Sequence, residues 1–146
     1  MEFEANVPDY LLQENQETTP ENVALFKAAL LGSIAGVEGA LKKGGTPNYF
    51  FNPEDQKNAL HVACESGNED VVNLLLENGA VVDASSGATH STPLMCAAQC
   101  NNAKIIKILL NHKANAGSGK IYYVDILFNL VIIELHVFLL CSKLLW

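Results

Sequence analysis

The chain has 146 residues, of which 16 are acidic and nine basic, and its formal net charge is −7. All nine basic residues are lysine, so the chain lacks the planar guanidinium group that binds guanine edges and phosphates through paired hydrogen bonds. Because binding to a polyanion depends on clustered positive charge, this composition excludes the usual nucleic-acid-binding classes, and we expect no nucleic-acid partner.

The chain begins with an acidic segment. Residues 1–21 contain six acids and no base, and we interpret them as a solvated leader. A short helix is predicted around Tyr10, Leu11 and Leu12, which either shields the following segment or docks on a partner. The leader does not have the pattern of a secretory signal peptide, and the four cysteines do not form a spaced extracellular framework. We therefore expect a cytoplasmic, reducing location.

Three copies of one helix–turn–helix pattern follow the leader. Leu60 and Leu94 occupy matching positions 34 residues apart, and Leu25 lies 35 residues before Leu60. A repeat of this length is typical of a stacked solenoid in which each unit packs on the next. The expected repeat domain is 22–117, divided at about 22–55, 56–90 and 91–117.

Local signals support the same units. Thr92 is a predicted N-cap before a proline at the first helical position, where the missing N–H breaks no helical hydrogen bond. Gly67 and Asn101 are expected to take the positive φ that ends the first helix of a unit. The apolar runs 74–76 and 108–110 are predicted to face the stack, each side chain contributing about 1.5–3 kcal/mol on burial.

The first copy matches the pattern least well. Its helices are predicted around residues 24–29 and 37–41, and it would form the N-terminal cap of the stack. Gly36 and Gly39 fall in its second helix, where glycine costs about 1 kcal/mol relative to alanine.

Two of the copies carry a recognisable family signature. Thr92-Pro93-Leu94 keeps the first three letters of the pattern T-P-L-H-x-A, and Leu60-His61-Val62-Ala63 keeps the last four. Residues 70–80 read D-V-V-N-L-L-L-E-N-G-A. The chain therefore resembles the ankyrin-repeat family. The resemblance implies an all-α solenoid of about three helix–turn–helix repeats joined by hairpin-like loops. It also implies that His61 bonds backbone groups between adjacent repeats, and that another protein is bound by the hairpin loops and by the concave face of the first helices.

The loop after the first unit carries three consecutive aromatic residues, and exposed aromatics are common anchors of protein interfaces. One or two of these rings are alternatively expected to fold back over the helices, with at least one left exposed. The residues that we predict to contact a partner are Tyr49, Phe50, Phe51, Glu54 and Asp55 in the first loop, Ser86, Thr89 and His90 in the second loop, and Glu65, Asn68, Gln99 and Asn102 at the ends of the first helices.

No residue pattern for catalysis or cofactor binding is present. The chain contains no P-loop, dinucleotide-binding or H-E-x-x-H motif, and His61 has no nearby triad partner. Cys96 and Cys100, four residues apart on one helix, would need His90 or His112 as additional zinc ligands, and we favour packed thiols over a zinc site. We expect no enzyme activity, no cofactor and no bound metal.

The tail, residues 118–146, breaks the repeat pattern and becomes strongly apolar. After a flexible joint at 117–120, residues 121–140 are long enough for a membrane span, but Glu134 lies near the centre, where a charge is costly. A tail anchor, an apolar C-terminal helix that packs one face on the repeats, and a truncated or misspliced gene model all remain open.

We expect a monomeric, non-catalytic protein-interaction module that acts as an adaptor or scaffold. The alternative is a membrane-associated ankyrin protein, either anchored through 121–146 or forming the N-terminal fragment of a larger ankyrin-bearing acyltransferase, channel or kinase.

Overall fold

The computed structural model describes residues 18–51, 56–87 and 90–116. Most of the predicted leader, the whole apolar tail and three predicted binding residues, Glu54, Asp55 and Thr89, lie outside the described residues. Within the described ranges the chain forms six helices: α1 (Pro20–Leu31), α2 (Ile34–Lys42), α3 (Ala59–Ser66), α4 (Glu69–Glu77), α5 (Pro93–Gln99) and α6 (Ala103–Asn111). They pair in sequence into the three predicted helix–turn–helix units, so the all-α repeat fold is confirmed.

The first helix of each unit starts at a polar N-cap. The side chains of Thr19, Asn58 and Thr92 each accept a hydrogen bond from a backbone N–H in the first turn of α1, α3 and α5. Pro20 and Pro93 occupy the first helical position, where the absent N–H removes no helical bond. The predicted N-cap at Thr92 is confirmed.

Each first helix ends at a residue with positive φ. Gly32 ends α1 at φ 69°, Gly67 ends α3 at φ 77°, and Asn101 follows α5 at φ 55°. Glycine adopts this conformation without steric cost, and asparagine at lower cost than most residues. The turns predicted at Gly67 and Asn101 are therefore confirmed, and they reverse the chain into the second helix.

The units stack in one direction. The first helices α1, α3 and α5 pack in a row, and the second helices α2, α4 and α6 pack in a second row behind them. Leu25, Leu60 and Leu94 occupy matching positions in the first row, and each is at most 1% exposed. The core is therefore continuous across the three units.

Burial in the second row is less even than the sequence predicted. Leu75 and Leu109 are 0% exposed, whereas their neighbours in the runs 74–76 and 108–110 are only partly buried. Successive residues on a helix point about 100° apart, so three in a row cannot all be buried to the same extent. Both runs pack against the core as predicted, but only their central residues are fully buried.

Gly36 has a packing role that the sequence did not reveal. A Cβ at this position of α2 would lie 2.9 Å from the Cβ of Ala28 on α1, which is too close for two carbon atoms. At Gly39 nothing lies within 4 Å of such a Cβ. Gly36 thus permits close packing of α1 on α2, and only Gly39 fits the expectation of a plain helix weakness.

The connections between units are hairpin-like. The Phe51 N–H donates to the Lys57 carbonyl oxygen at 2.9 Å, and the Ser86 N–H donates to the Ser91 carbonyl oxygen at 2.9 Å. The two hairpins lead directly into α3 and α5, so they lie at the start of the first helices. The turns at Gly32, Gly67 and Asn101 consequently lie at the opposite end.

The described helices give no candidate for a membrane span, since none of them is both long enough and apolar enough to cross a bilayer. The span considered at 121–140 lies outside the described residues.

Candidate functional site

Two of the three consecutive aromatics fold back over the first unit. Phe51 is only 6% exposed, and its ring centroid lies 4.4 Å from that of Phe26 on α1 and 4.9 Å from that of Tyr49. The Tyr49 hydroxyl is 2.8 Å from the Thr18 hydroxyl oxygen. These contacts make Phe51 a core residue and leave Tyr49 half-buried, which removes Phe51 from the predicted binding surface.

Phe50 is the ring that remains exposed. Its side chain is 41% exposed, and its ring centroid lies 6.4 Å from that of His61 on α3. Strand alternation explains the difference, because successive side chains at the base of a hairpin point to opposite faces. Phe50 is therefore the aromatic of this loop that can contact a partner.

The second hairpin requires a similar correction. Ser86 is 1% exposed, and its hydroxyl accepts a hydrogen bond of 3.0 Å from the Ser91 N–H. Its N–H closes the second hairpin as the N–H of Phe51 closes the first, so the two buried side chains occupy matching positions in their hairpins. Ser86 holds the hairpin together and is not available to a partner. His90 in the same hairpin is exposed and has a positive φ of 48°.

Glu65, near the end of α3, connects the first hairpin to the third unit. Its carboxylate lies 2.7 Å from the Lys57 ammonium, and the two side chains are 31% and 32% exposed. Burial, followed by the negative charge and hydrogen bonding of Glu65, raises the pKa of the Cys96 thiol on α5 to about 12. Lys57 is not among the predicted binding residues, although its place at the hairpin base, before the Asn58 N-cap, indicates a possible partner of an acid on α3.

The other predicted residues at the helix ends differ in exposure. Gln99 is exposed at the end of α5, 34 residues after Glu65. Asn68 is half-buried, and its side chain lies so close to Gly32 of the preceding unit that no Cβ would fit there. Asn102 is placed similarly, since a Cβ on Gly67 would lie 3.3 Å from its amide nitrogen. Both asparagines therefore serve packing between units, and only part of each side chain faces solvent.

His61 is a structural residue. Its Nε2 donates to the Ser91 carbonyl oxygen at 3.0 Å, and its Nδ1 accepts from the Asn58 N–H at 3.4 Å. Burial lowers the pKa of His61, and the hydrogen bond to Ser91 and the charge of Glu65 only partly oppose this effect. The neutral ring thus connects α3 to the next hairpin, and the inter-repeat role implied by the resemblance is confirmed.

The cysteines are placed as packed or solvent-facing thiols. Cys64 and Cys96 are buried, Cys100 is exposed, and all three are free. Within the described ranges, no group of three or more His, Cys, Asp or Glu side chains is arranged to hold a metal ion.

Comparison with known proteins identifies the same repeats. A family model of ankyrin repeats, in three copies, matches residues 4–86 and 25–120. The chain is 38% identical over 101 residues to serine/threonine-protein kinase 12 of Arabidopsis thaliana, covering 69% of this chain and 21% of that protein. It is 40% identical over 60 residues to the B-cell lymphoma 3 protein homolog of Mus musculus, covering 41% and 13%. It is 37% identical over 93 residues to the RelA-associated inhibitor of Mus musculus, covering 63% and 11%.

The chain spans about a fifth or less of the length of these three relatives. The family match covers the three units and extends beyond their described residues at both ends. The stacked helix pairs, the positive-φ turns and the inter-repeat histidine agree with it. The chain belongs to the ankyrin-repeat family and is a protein–protein interaction module.

Proposed function

We propose that this chain is a non-catalytic adaptor that holds a partner protein against its first hairpin and the ends of its first helices. The observation that carries the proposal is the exposed ring of Phe50, presented by a hairpin whose neighbours Tyr49 and Phe51 are fixed on α1. An anchor on a rigid base loses little conformational entropy on binding, which favours affinity.

Polar groups lie on the same side of the repeats as this anchor. Lys57 and Glu65 form a partly exposed ion pair, and Gln99 follows at the matching position of α5. Because charged and polar groups around an aromatic anchor select the partner more than they strengthen binding, we assign specificity to these three side chains. We expect smaller contributions to partner binding from His90, Asn68 and Asn102. The binding roles of Glu54, Asp55 and Thr89 remain predictions.

Site-specific photo-crosslinking tests this proposal. The full chain would carry a benzophenone amino acid at position 50, at position 99, or at exposed Lys107 on α6 as a matched control. We expect crosslinked partners from positions 50 and 99, and strong competition by unlabelled wild-type chain. Equal crosslinking from position 107 would contradict the assignment of this surface.

The repeats also fit a role as the interaction part of a larger protein. The match to the plant kinase covers most of this chain but only 21% of the kinase, which is the observation that favours this second proposal. Sequencing of full-length transcripts across the codons for residues 117–120 tests it. Continuation into further coding sequence supports a larger parent, and a uniform stop after Trp146 contradicts an N-terminal fragment. Sedimentation of the full chain tests the expected monomer.

A further inference from the structure

An apolar patch lies at the end of the first unit, opposite the hairpins. Its residues are Leu30 and Leu31, which end α1, and Ile34, which begins α2, and their exposed fractions are 47%, 73% and 44%. We call these three residues the turn patch. Single exposed apolar side chains are ordinary, whereas three within five residues of one turn concentrate apolar surface where a partner could cover it.

The repeat fold itself does not need these leucines. The same two positions are occupied by other residues in the second and third units, whose first helices end in the same way. The matching pairs are Glu65 with Ser66 on α3 and Gln99 with Cys100 on α5. The turn patch is therefore a property of the first unit, not a requirement of the helix–turn–helix geometry.

An open cleft of about 340 Å³ lies beside the patch, between the turns of the first and second units. Ile34 lines one side of it, and Asn68, Glu69 and Asp70 line the other. Within the part of the chain that the structure describes, the exposed carboxylate of Asp70 has no ion pair. The cleft is thus mainly polar and acidic, and Ile34 connects it to the apolar turn patch.

The other charges near the patch leave this acidic character in place. Glu69 is 3.3 Å from the ammonium of Lys104, whose side chain is 78% exposed. Glu38 lies one turn after Ile34 and pairs with Lys42 only at 4.0 Å. Exposed pairs of this kind are weak and screened by salt, so both acids can still attract a cation. Half-buried Lys27, one turn before Leu31, is the nearest base on α1.

We propose that the turn patch and the adjoining cleft form a second docking surface, for a segment of a partner protein that presents a large apolar side chain beside a lysine or arginine. The apolar side chain covers Leu31 and Ile34, and the basic group sits on Asp70. This extends the proposed protein-binding function from the surface of Phe50, Glu65 and Gln99 to the turn between the two helices of the first unit.

Charge argues against two other occupants. The leader, residues 1–21, has six acids and no base, so it is repelled by the acidic side of the cleft. A second copy of this chain carries the same net charge of −7 and meets the same repulsion. The acidic side chains that repel the leader and a second copy attract a basic segment of another protein. This attraction also speeds association.

Selection of displayed random 16-residue peptides on the full chain tests the proposal. The counter-selection uses the double variant Leu30→Glu/Leu31→Ser, which carries the residues that α3 has at the same positions and is expected to melt like wild type. We expect enriched peptides with a large apolar residue next to lysine or arginine, and at least tenfold weaker binding of those peptides to the double variant.

Three further variants separate the surfaces. Asp70→Lys introduces lysine, the residue at the matching position of α6, which is Lys104. This variant should also bind the enriched peptides at least tenfold more weakly. Val81→Ser removes an apolar side chain that is 52% exposed elsewhere and should leave binding unchanged. Phe50→Ala should not affect these peptides, so failure of the hairpin surface would be distinguished from failure of the turn patch.

Several results would overturn the proposal. These are equal binding of the enriched peptides to wild type and the double variant, selection of acidic or uncharged peptides, or no enrichment at all. A dimer in sedimentation that the double variant dissociates would assign the patch to a second copy and would likewise overturn it.

Discussion

The imidazole Nε2 of His61 donates a hydrogen bond of 3.0 Å to the carbonyl oxygen of Ser91, 30 residues further along the chain. The bond joins the first helix of the second unit to the hairpin that leads into the third. His61 is 0% exposed, so both of its ring nitrogens depend on partners within the protein. One buried side chain therefore links two adjacent repeats directly.

Replacing this side chain should cost stability. We expect His61→Gln to lower the free energy of unfolding by about 1–3 kcal/mol at pH 7.5, because buried groups that bonded the ring lose well-aligned partners. Urea unfolding followed by circular dichroism measures the change. An unchanged midpoint would contradict the structural role.

The stability of the protein should also fall as the pH is lowered from 7.5 to 5.5. Burial lowers the pKa of folded His61 below its ordinary value of 6.5, whereas the unfolded chain keeps the ordinary value. Below about pH 6.5 the unfolded state therefore binds a proton that the folded state does not, and folding becomes less favourable. Urea midpoints across this range should show a steeper fall for wild type than for His61→Gln. Equal slopes would rule out His61 as the source.

The two glycines of α2 should respond oppositely to alanine. Gly39→Ala should raise the free energy of unfolding by about 0.5–1 kcal/mol, since alanine is the better helix former and nothing obstructs its Cβ. Gly36→Ala should lower it by about 1–3 kcal/mol, because its Cβ would overlap the methyl group of Ala28. Thermal melting of the two variants checks both signs, and stabilisation by Gly36→Ala would mean that α1 and α2 are less closely packed.

Substitution by alanine should affect stability very differently at the two adjacent phenylalanines. Phe51→Ala should destabilise the protein by about 3 kcal/mol, because it removes a buried ring that packs on Phe26 and Tyr49. Phe50→Ala should change stability by less than about 0.5 kcal/mol, because Phe50 is 41% exposed and its ring lies 6.4 Å from that of His61. Comparable losses in chemical unfolding would contradict the assignment of Phe50 to the binding surface.

Thiol reactivity should separate the cysteines of the repeats. Cys100 is exposed and should react with iodoacetamide in the native chain, whereas Cys64 and Cys96 are buried and have raised thiol pKa values. Peptide mass spectrometry of the labelled chain would show modification of Cys100 within minutes and of the other two only after unfolding. Cys100→Ser is the matched control, and rapid native labelling of Cys96 would contradict its burial.

Many of the confirmed predictions depend on local sequence rules for helix caps and turns. The Thr92 N-cap and the positive-φ turns at Gly67 and Asn101 each follow from residues within one turn of the position concerned, and the 34-residue period follows from aligning the copies within the sequence. The inter-repeat role of His61 came from the family resemblance, since its acceptor at Ser91 lies too far along the chain for a local rule.

The candidate site was harder to predict because exposure depends on distant residues. Nothing near Phe51 in the sequence shows that Phe26 lies beneath it, and nothing near Leu31 shows that its side chain stays 73% exposed. The alignment of units could have indicated the turn patch, since it places Leu30 at the position of Glu65.

The sequence by itself determined the repeat, the family, the N-cap at Thr92 and the turns at Gly67 and Asn101, because caps, turns and helical periodicity are properties of neighbouring residues. Only the tertiary structure decided which residues of the loops and turns face solvent. Ser86 is buried, Phe50 is exposed and Gly36 has no room for a Cβ because of contacts between units or helices. Such contacts bring together residues far apart in the chain, and the surface available to a partner is what they leave uncovered.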